Sequence, residues 1–538
     1  LKITHTDAAI QAIPTSKEGA MADYDAIVVG AGHNGLSAAT TLAGEGLSVL
    51  CLEKTHGPGG MASTRELFKG FKHNVGAWAL LVFRDEMIKR LGLESYGLEY
   101  VRPRTAYTVF GEPEDTPFIG YTDPNEMAAH LMKDHGPDAA EALANFAAYL
   151  QKYKEILDPE LFKPPSSLAS LIARAPDLES REILMEIAYG SAMDVIRRFF
   201  PDPAKHRCIQ ASLCASAIDG IHMGPYTAGS ALSIPYHYVM GDAYDFRTFK
   251  GGIGALSHAL AQSVLDRGGK IEYGRPVKRF LIENGRATGV ELSSGEKVSA
   301  KVVLSNLDAR TTFLKMVGEA HLPVDFARAV SEIDYTNGYV QIHMTLKELP
   351  EFTGHLAFAN KENIRWCMSY IPAPPVLSRS WEQYRAGKLP DAPGSYMAIP
   401  SLMDPTLAPS GFYTCTIYSQ YFPTDIPPNK HRELADVFAD RLIDRIARYA
   451  PNFRGAIMEK VVLTNQYFEK TFGITGGDFC HGMNHPGQMW DRRPVRGWAG
   501  YRTPIQNLYL CGSGCHPGNG VTCLPGYNSA REVLKHWK

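Results

Sequence analysis

Hydrophobic and polar positions follow three rhythms along the 538 residues of this chain, and the places where one gives way to another mark its organisation. The first rhythm is the continuous apolar run. Residues 26–29 form one, broken by Gly30-Ala31-Gly32-His33-Asn34-Gly35, and residues 48–52 form another that ends at Glu53. Runs this short and this apolar predict strands covered on both faces, as in a parallel sheet. The small-residue stretch 36–46 between them predicts the connecting helix. The second rhythm, helical and amphipathic, fills residues 101–234, with helices predicted over 125–135, 138–157 and 180–199 and breaks at Pro164-Pro165 and Pro201-Asp202-Pro203. The apolar residues Ile196, Phe199 and Phe200 there read as core.

A glycine-rich turn at 250–256 then opens a helix to about residue 267, followed by strands at 270–273, 277–282, 288–292 and 302–304. Turns at Asn284-Gly285 and Ser294-Gly295 make a small meander of this segment. The third rhythm is alternation. Residues 339–345 and 413–418 alternate as half-buried strands do, residues 431–449 have a helical period, and the proline-rich stretches 371–376 and 425–428 read as loops. Near the end the apolar run 508–510 enters a loop rich in glycine, Cys511 to Val521, and a terminal helix.

The spacing of Gly30, Gly32 and Gly35 carries chemistry. The first permits a tight turn, the second lets backbone N–H groups approach a pyrophosphate, and the third lets the helix pack closely on the sheet. The helix N-terminus then offers partial positive charge to a diphosphate. Glu53 follows Gly30 by 23 positions, near the ~20-residue spacing of an acid that accepts from a ribose 2′-OH. This is a dinucleotide site, and the motif alone does not choose between FAD and NAD. The pair Gly59-Gly60 just beyond reads either as a plain turn or as backbone hugging a ligand that continues past the ribose.

Taken together, Ala31-Gly32-His33-Asn34-Gly35-Leu36-Ser37-Ala38-Ala39, the acid with its glycine pair, and Gly70-Phe71-Lys72-His73-Asn74 resemble the flavin-dependent amine oxidase and phytoene desaturase superfamily. More narrowly they resemble its branch of CrtO-type carotenoid ketolases and pyridine nucleotide-disulfide oxidoreductase domain 2 proteins. The resemblance implies an α/β fold: a Rossmann-like FAD-binding domain of the glutathione-reductase type, interleaved with an α+β substrate domain. The FAD domain is expected from 23–100, 235–310 and 495–538, the substrate domain from 101–234 and 311–494, and residues 1–22 are expected to be an N-terminal extension, Met21 looking like a natural start. By resemblance the ADP half of FAD meets Gly30, Gly32, His33, Asn34, Gly35, Glu53, Lys54, Gly59, Gly60 and Met61, with Val277 at the adenine and Asn306 at a strand end beside the cofactor. Gly512, Gly520 and Val521 would meet the diphosphate and flavin ring. Three glycine-rich segments, at 30–35, 250–256 and 512–520, would then converge on one long ligand. One departure stands: Pro58 and Met61 flank the glycine pair where many members have an arginine, and Arg65 is the candidate to replace its charge.

The activity implied is hydride abstraction from a carbon skeleton, most simply desaturation of a small apolar, carotenoid- or isoprenoid-like substrate. FAD supplies the acceptor. A proton acceptor is also needed, and His481 and His516 are candidates because an imidazole titrates near ~6.5; Gln488 lies in the same polar loop as His481. A flavin amine oxidase, a ketolase, a reduced-FAD isomerase and a flavin-binding scaffold without turnover remain open.

Composition narrows the partners. With 55 basic and 57 acidic residues the chain has no excess cation for nucleic acid. Nine cysteines without framework spacing, and no secretory signal ahead of the first strand, suggest free thiols and a cytoplasmic setting. No stretch reaches the ~20 apolar residues of a membrane span, which leaves peripheral contact with a membrane surface open. Cys480, His481 and His485 lack the four-ligand pattern of structural zinc, so no metal is expected. Cys511 and Cys515 do not form a Cys-x-x-Cys pair, and FAD is expected to be held non-covalently rather than through Cys515 or His516.

Overall fold

The computed structural model describes residues 22–241, 246–361 and 364–537; the extension expected over 1–22 lies outside them except for its last residue. The first motif folds as its rhythm predicts. Strand β1 (Tyr24–Val29) leads through the glycines into helix α1 (His33–Gly44) and strand β2 (Val49–Leu52). Two further strands, β3 (Lys270–Glu272) and β4 (Lys297–Ser305), and a late one, β5 (Leu508–Leu510), complete a parallel sheet in the order β3-β2-β1-β4-β5.

The apolar runs are buried on both faces for a visible reason. Ala26, Val28, Val49 and Cys51 pack toward α1 and α2 (Gly254–Asp266), while Ile27, Val29, Leu50 and Leu52 pack toward the meander and residues 309–335. Strand β4 joins the two halves. Its first three residues pair antiparallel with Arg286–Leu292 and the remainder runs parallel to β1. The hairpin before it turns on Asn284 and Gly285, both in the left-handed region (φ 50° and 74°), as such a tight connection requires. The C-terminal helix α3 (Leu524–His536) crosses α1 at Gly526, where a Cβ would lie 1.8 Å from the Asn34 carbonyl oxygen.

A second, mixed sheet of seven strands lies over the first, with Tyr339–Leu346 and Tyr413–Gln420 near its centre and Thr105–Phe110 and Phe118–Tyr121 at one edge. The alternation predicts half-burial here, yet every residue of Tyr339–Leu346 is buried. Its apolar residues Val340, Ile342 and Met344 pack with the helix Pro428–Ala447. Its polar residues do not reach water: Gln341 bonds both backbone groups of Gly76, and the rings of His343 and His73 meet edge to face. The polar face is covered by the hairpin Ala62–Phe68/Phe71–Gly76.

The helical reading of 101–234 holds from residue 124 on, with two corrections. Thr105–Phe110 and Phe118–Tyr121 are strands of the second sheet, because they find partners there. The single helix predicted over 180–199 is two, Leu178–Tyr189 and Ala192–Phe199, separated at Gly190, and Ser191 and Asp194 form a capping box that starts the second. Ile196 and Phe200 are fully buried. The loops expected at 371–376 and 425–428 hold over 371–373 and 425–427 and end sooner than expected: Pro374 and Pro428 each open a helix, Pro374–Arg385 and Pro428–Ala447, because a proline at the first helical position loses no hydrogen bond. Among the described residues no helix is long and apolar enough to cross a membrane.

Candidate active site

The end of β1 sets the geometry. Gly30 adopts φ 100°, donates its N–H to the Leu52 carbonyl (2.8 Å), and accepts from Asn306 Nδ2 (3.3 Å) at the tip of β4. Gly35 sits where a Cβ would lie 2.0 Å from the Gly30 oxygen, so only glycine permits this approach of α1 to the turn. Glu53 is fixed by two backbone donors, Ala31 N–H to Oε2 (2.8 Å) and Thr55 N–H to Oε1 (2.7 Å). The carboxylate that faces the ligand site therefore also holds the turn in shape. Gly59 N–H closes on the Ala31 carbonyl (2.8 Å) and brings the glycine pair alongside.

A cavity of about 420 Å³ runs from this turn to the second sheet. Along one end it is lined by Gly30, Gly32, His33, Asn34, Glu53, Lys54, Gly59, Gly60, Met61, Val277 and Asn306, and further along by Gly520, Val521 and His481. Helix α1 points its N-terminus at this space, capped by Gly32 and carrying no acidic residue in its first turn, which suits an anion. Three hydrogen bonds tie α1 to the C-terminal loop: His33 Nε2 to the Gly520 carbonyl (2.9 Å), Asn34 Nδ2 to Ser513 Oγ (3.1 Å) and Ser37 Oγ to the Cys523 carbonyl (2.8 Å).

The residues present fit FAD. Bare backbone at Gly32 and Gly60 borders the cavity, and a Cβ on Gly520 would lie 2.2 Å from Val82. Buried polar atoms also await a partner: Asn34 Oδ1 and His481 Nδ1 have none among the described residues. The turn, Glu53 and the start of α1 would hold the dinucleotide, and the loops at 479–481 and 513–521 would border its reactive end. When bound, the group supplies a two-electron acceptor.

His33 is buried, and its pKa falls to about 4, so it is a neutral donor to the Gly520 carbonyl. His481, in the left-handed region at φ 54°, is likewise held neutral by burial. Its loop is pinned from behind. Asp478 accepts from Asn337 Nδ2 (2.6 Å) and from the N–H groups of Cys480 (2.9 Å) and Gly482 (2.8 Å), and burial lifts its pKa to about 6. Arg493 spans the Gly482 and Ser513 carbonyls.

Four residues expected at the site do not line the cavity. Gly35 acts one layer below, through the packing described. Gly512 packs against Asn306, where a Cβ would lie 2.7 Å from its carbonyl oxygen. His516 bonds through Nε2 to the Glu160 carbonyl (2.9 Å) and is buried and neutral, with a pKa near 4. Gln488 clamps residue 334, accepting from its N–H at 2.7 Å and donating to its carbonyl at 3.2 Å. Each side chain is bonded within the protein and neither reaches the cavity, which removes the reason to expect catalysis from them. The middle glycine-rich segment is also corrected: its N–H groups at Gly251, Ile253 and Gly254 are taken by Asp404, Asn74 and Thr64. Arg65 stacks over Phe472, itself a cavity residue, at 4.9 Å. All nine cysteines are free and buried, and among the described residues no group of three His, Cys, Asp or Glu could hold a metal.

The structure adds two residues that no motif singled out. Asp219, the residue after helix Arg207–Ile218, and His237, within helix Ser233–Met240, face the cavity together beside Tyr418. An Asp ending a helix and a His among aromatic neighbours read from sequence as a cap and a core residue.

The glycine cradle yields a direct expectation. At Gly32 a Cβ meets only the tip of the Asn306 side chain, at 2.7 Å, and the backbone is not left-handed. Gly32→Val should therefore fold, with stability within about 1 kcal/mol of the parent, while FAD affinity falls at least about tenfold, a loss of ~1.4 kcal/mol. Flavin titration of apoprotein beside a urea melt measures both.

Comparison with known proteins gives the family. Residues 35–397 match the family model described as flavin containing amine oxidoreductase. The rat pyridine nucleotide-disulfide oxidoreductase domain-containing protein 2 is 30% identical over 96% of this chain and 94% of its own. One subunit of limonene dehydrogenase, from Castellaniella defragrans, is 25% identical over 95% of this chain and 94% of its own. Among solved structures, putrescine oxidase bound to putrescine superposes with a TM-score of 0.60 at 14% identity, over 95% of this chain and 99% of the other, a likeness of fold.

Proposed function

The chain belongs to the flavin containing amine oxidoreductase family and is an FAD-dependent oxidoreductase; on that premise we propose that it removes hydride from the carbon skeleton of an apolar, isoprenoid- or carotenoid-like substrate and leaves a C=C bond. The observation that carries this reading is the wall of the cavity beyond the glycine turn. Ala77, Trp78, Leu81, Val82, Phe479 and Val521 give it an apolar surface, which favours a hydrocarbon over a solvated polar ligand. The relative named as a limonene dehydrogenase points the same way.

This chain's own residues have distinct tasks in that reaction. Neutral His33 and Asn34 fasten the start of α1 to the C-terminal loop, so the two ends of the cavity keep a fixed separation. The apolar wall orients the carbon centre and excludes water. FAD is held without a covalent bond, since Cys515 is buried and, like His516, does not line the cavity.

Anaerobic visible spectra of the purified holoenzyme test the reading, recorded with NADPH and then with limonene, a polyene, ketones and amines. An apolar alkene should bleach the flavin and NADPH should leave it yellow. Bleaching by NADPH would instead indicate a reductase, a ketolase or a reduced-flavin isomerase, and bleaching by an amine alone would make it an amine oxidase. A flavin that no reductant or substrate changes would leave only a binding role.

A further inference from the structure

We propose that Asp219 is the group that exchanges a proton with the substrate, with His237 and Tyr418 as positioning residues behind it. The inference rests on the reading of carbon-skeleton oxidation above and supplies the base which that chemistry needs. Asp219 ends the helix Arg207–Ile218, and its side chain keeps 32% of its surface accessible although it lies inside the protein. The cavity accounts for that surface, because Asp219 is part of its wall. No lysine or arginine neutralises it among the described residues. Its partners are His237, with Nε2 at 3.9 Å from Oδ2, and Tyr418, whose hydroxyl donates to Oδ1 at 3.3 Å.

The groups facing Asp219 come from several elements: His237 from helix Ser233–Met240, Tyr418 and Tyr396 from the second sheet, and Cys480 from the polar loop. Burial raises the Asp219 carboxyl, and His237 and Tyr418 partly oppose that rise. The His237 ring is held by the carbonyl groups of Ser216 and Ser233, and burial lowers its pKa. An acid driven up and a base driven down stand side by side in the cavity wall. His516 lacks this setting, being tied to Glu160 outside the cavity, and His481, though in the cavity wall, is buried between the Asp308 carboxylate and the opposing charge of Arg493.

The step balances as follows. The Asp219 carboxylate takes a proton from the substrate carbon next to the one that gives up hydride, FAD being the two-electron oxidant. The electron pair of the broken C–H bond becomes the π bond of the product. The proton on Asp219 then leaves to solvent through the cavity, which restores the carboxylate.

The test uses the FAD-loaded protein with ¹⁵N-labelled histidine, His237 being assigned through His237→Gln. Asp219→Asn should lower the titration midpoint of His237 by about one pH unit or more, the size of effect expected for removing an adjacent carboxylate. An unchanged midpoint would overturn the proton pair without reference to any substrate. In stopped flow with limonene as the probe, Asp219→Asn should slow flavin bleaching about a hundredfold or more, in the range of general base catalysis, at unchanged flavin content. Asp219→Glu should recover part of the rate, while Tyr418→Phe should shift the pH midpoint more than it lowers the plateau. Bleaching by Asp219→Asn at the parental rate would overturn the proposal and leave the proposed function standing. If no apolar probe bleaches the parent protein, the proposed function falls, and the His237 titration alone decides the proton pair.

Discussion

Arg493→Met is expected to cost about 3 kcal/mol of stability or more, because three buried carbonyls lose their donor at about 1–3 kcal/mol each, and to empty the flavin site. The Arg493 side chain is buried, with a relative exposure of 2%. Its guanidinium donates to the carbonyl oxygens of Gly482 (3.0 Å), Ser513 (2.8 Å) and Cys480, and approaches the Met489 sulfur at 3.8 Å. Replacing a buried ion by a hydrophobe of similar volume is often harmless when its partner is replaced too. Here the partners are backbone carbonyls, which no substitution removes. Each orphaned carbonyl costs about 1–3 kcal/mol. The same three carbonyls belong to the two loops that carry His481 and Ser513, so losing their shared donor frees both walls of the cavity at once. Arg493→Lys should fall between the two proteins, because an ammonium keeps the charge but lacks the planar fork. Urea unfolding and flavin content per chain measure the two effects; full retention of flavin in Arg493→Met would show that the loops are held by other contacts.

The parallel sheet and the glycine turn are legible in the sequence because their signals are local. Residues 26–29 and 48–52 are apolar runs, and the 30–32–35 spacing admits few geometries. What escapes the sequence depends on partners far along the chain. The alternation at 339–346 is real, but whether its polar side meets water or a second layer is decided by the hairpin Ala62–Phe68/Phe71–Gly76, more than 260 positions away. His481 and His516 look alike in sequence, each beside a cysteine and near glycines. Only the fold places one in the cavity wall and ties the other to the Glu160 carbonyl. The glycines at 251–254 share the composition of the phosphate turn, yet their N–H groups are satisfied by Asn74, Thr64 and Asp404. Asp219 and His237 stand on different helices, and a pair of that kind leaves no spacing to read.

Several of those distant partners hold buried histidines neutral, and the second large effect follows from them: the protein should lose stability steeply as pH falls from about 6.5 toward 4. Burial lowers the pKa of His33, His73, His135, His222 and His516 to about 4, against ~6.5 in an unfolded chain. In that window the unfolded state binds protons that the folded state refuses, so stability rises with pH there and is lost as pH falls toward 4. Asp478 has the opposite sign. Its folded pKa is raised to about 6, so it favours the fold at low pH and that contribution is lost as pH rises through 6. Five groups against one leave a net uptake of about four protons on unfolding, or on the order of 5 kcal/mol per pH unit at the steepest point. Over two pH units that slope removes on the order of 10 kcal/mol, comparable to the ~5–15 kcal/mol that stabilises a domain. Unfolding free energies from urea melts across the window would give the proton count directly. His222→Gln supplies the control: the ring is fully enclosed and bonds only the Gly338 carbonyl (3.1 Å), so removing it should lower the slope by about one proton. A slope that His222→Gln leaves unchanged would mean that His222 accepts its proton in the folded state, through local opening rather than global unfolding.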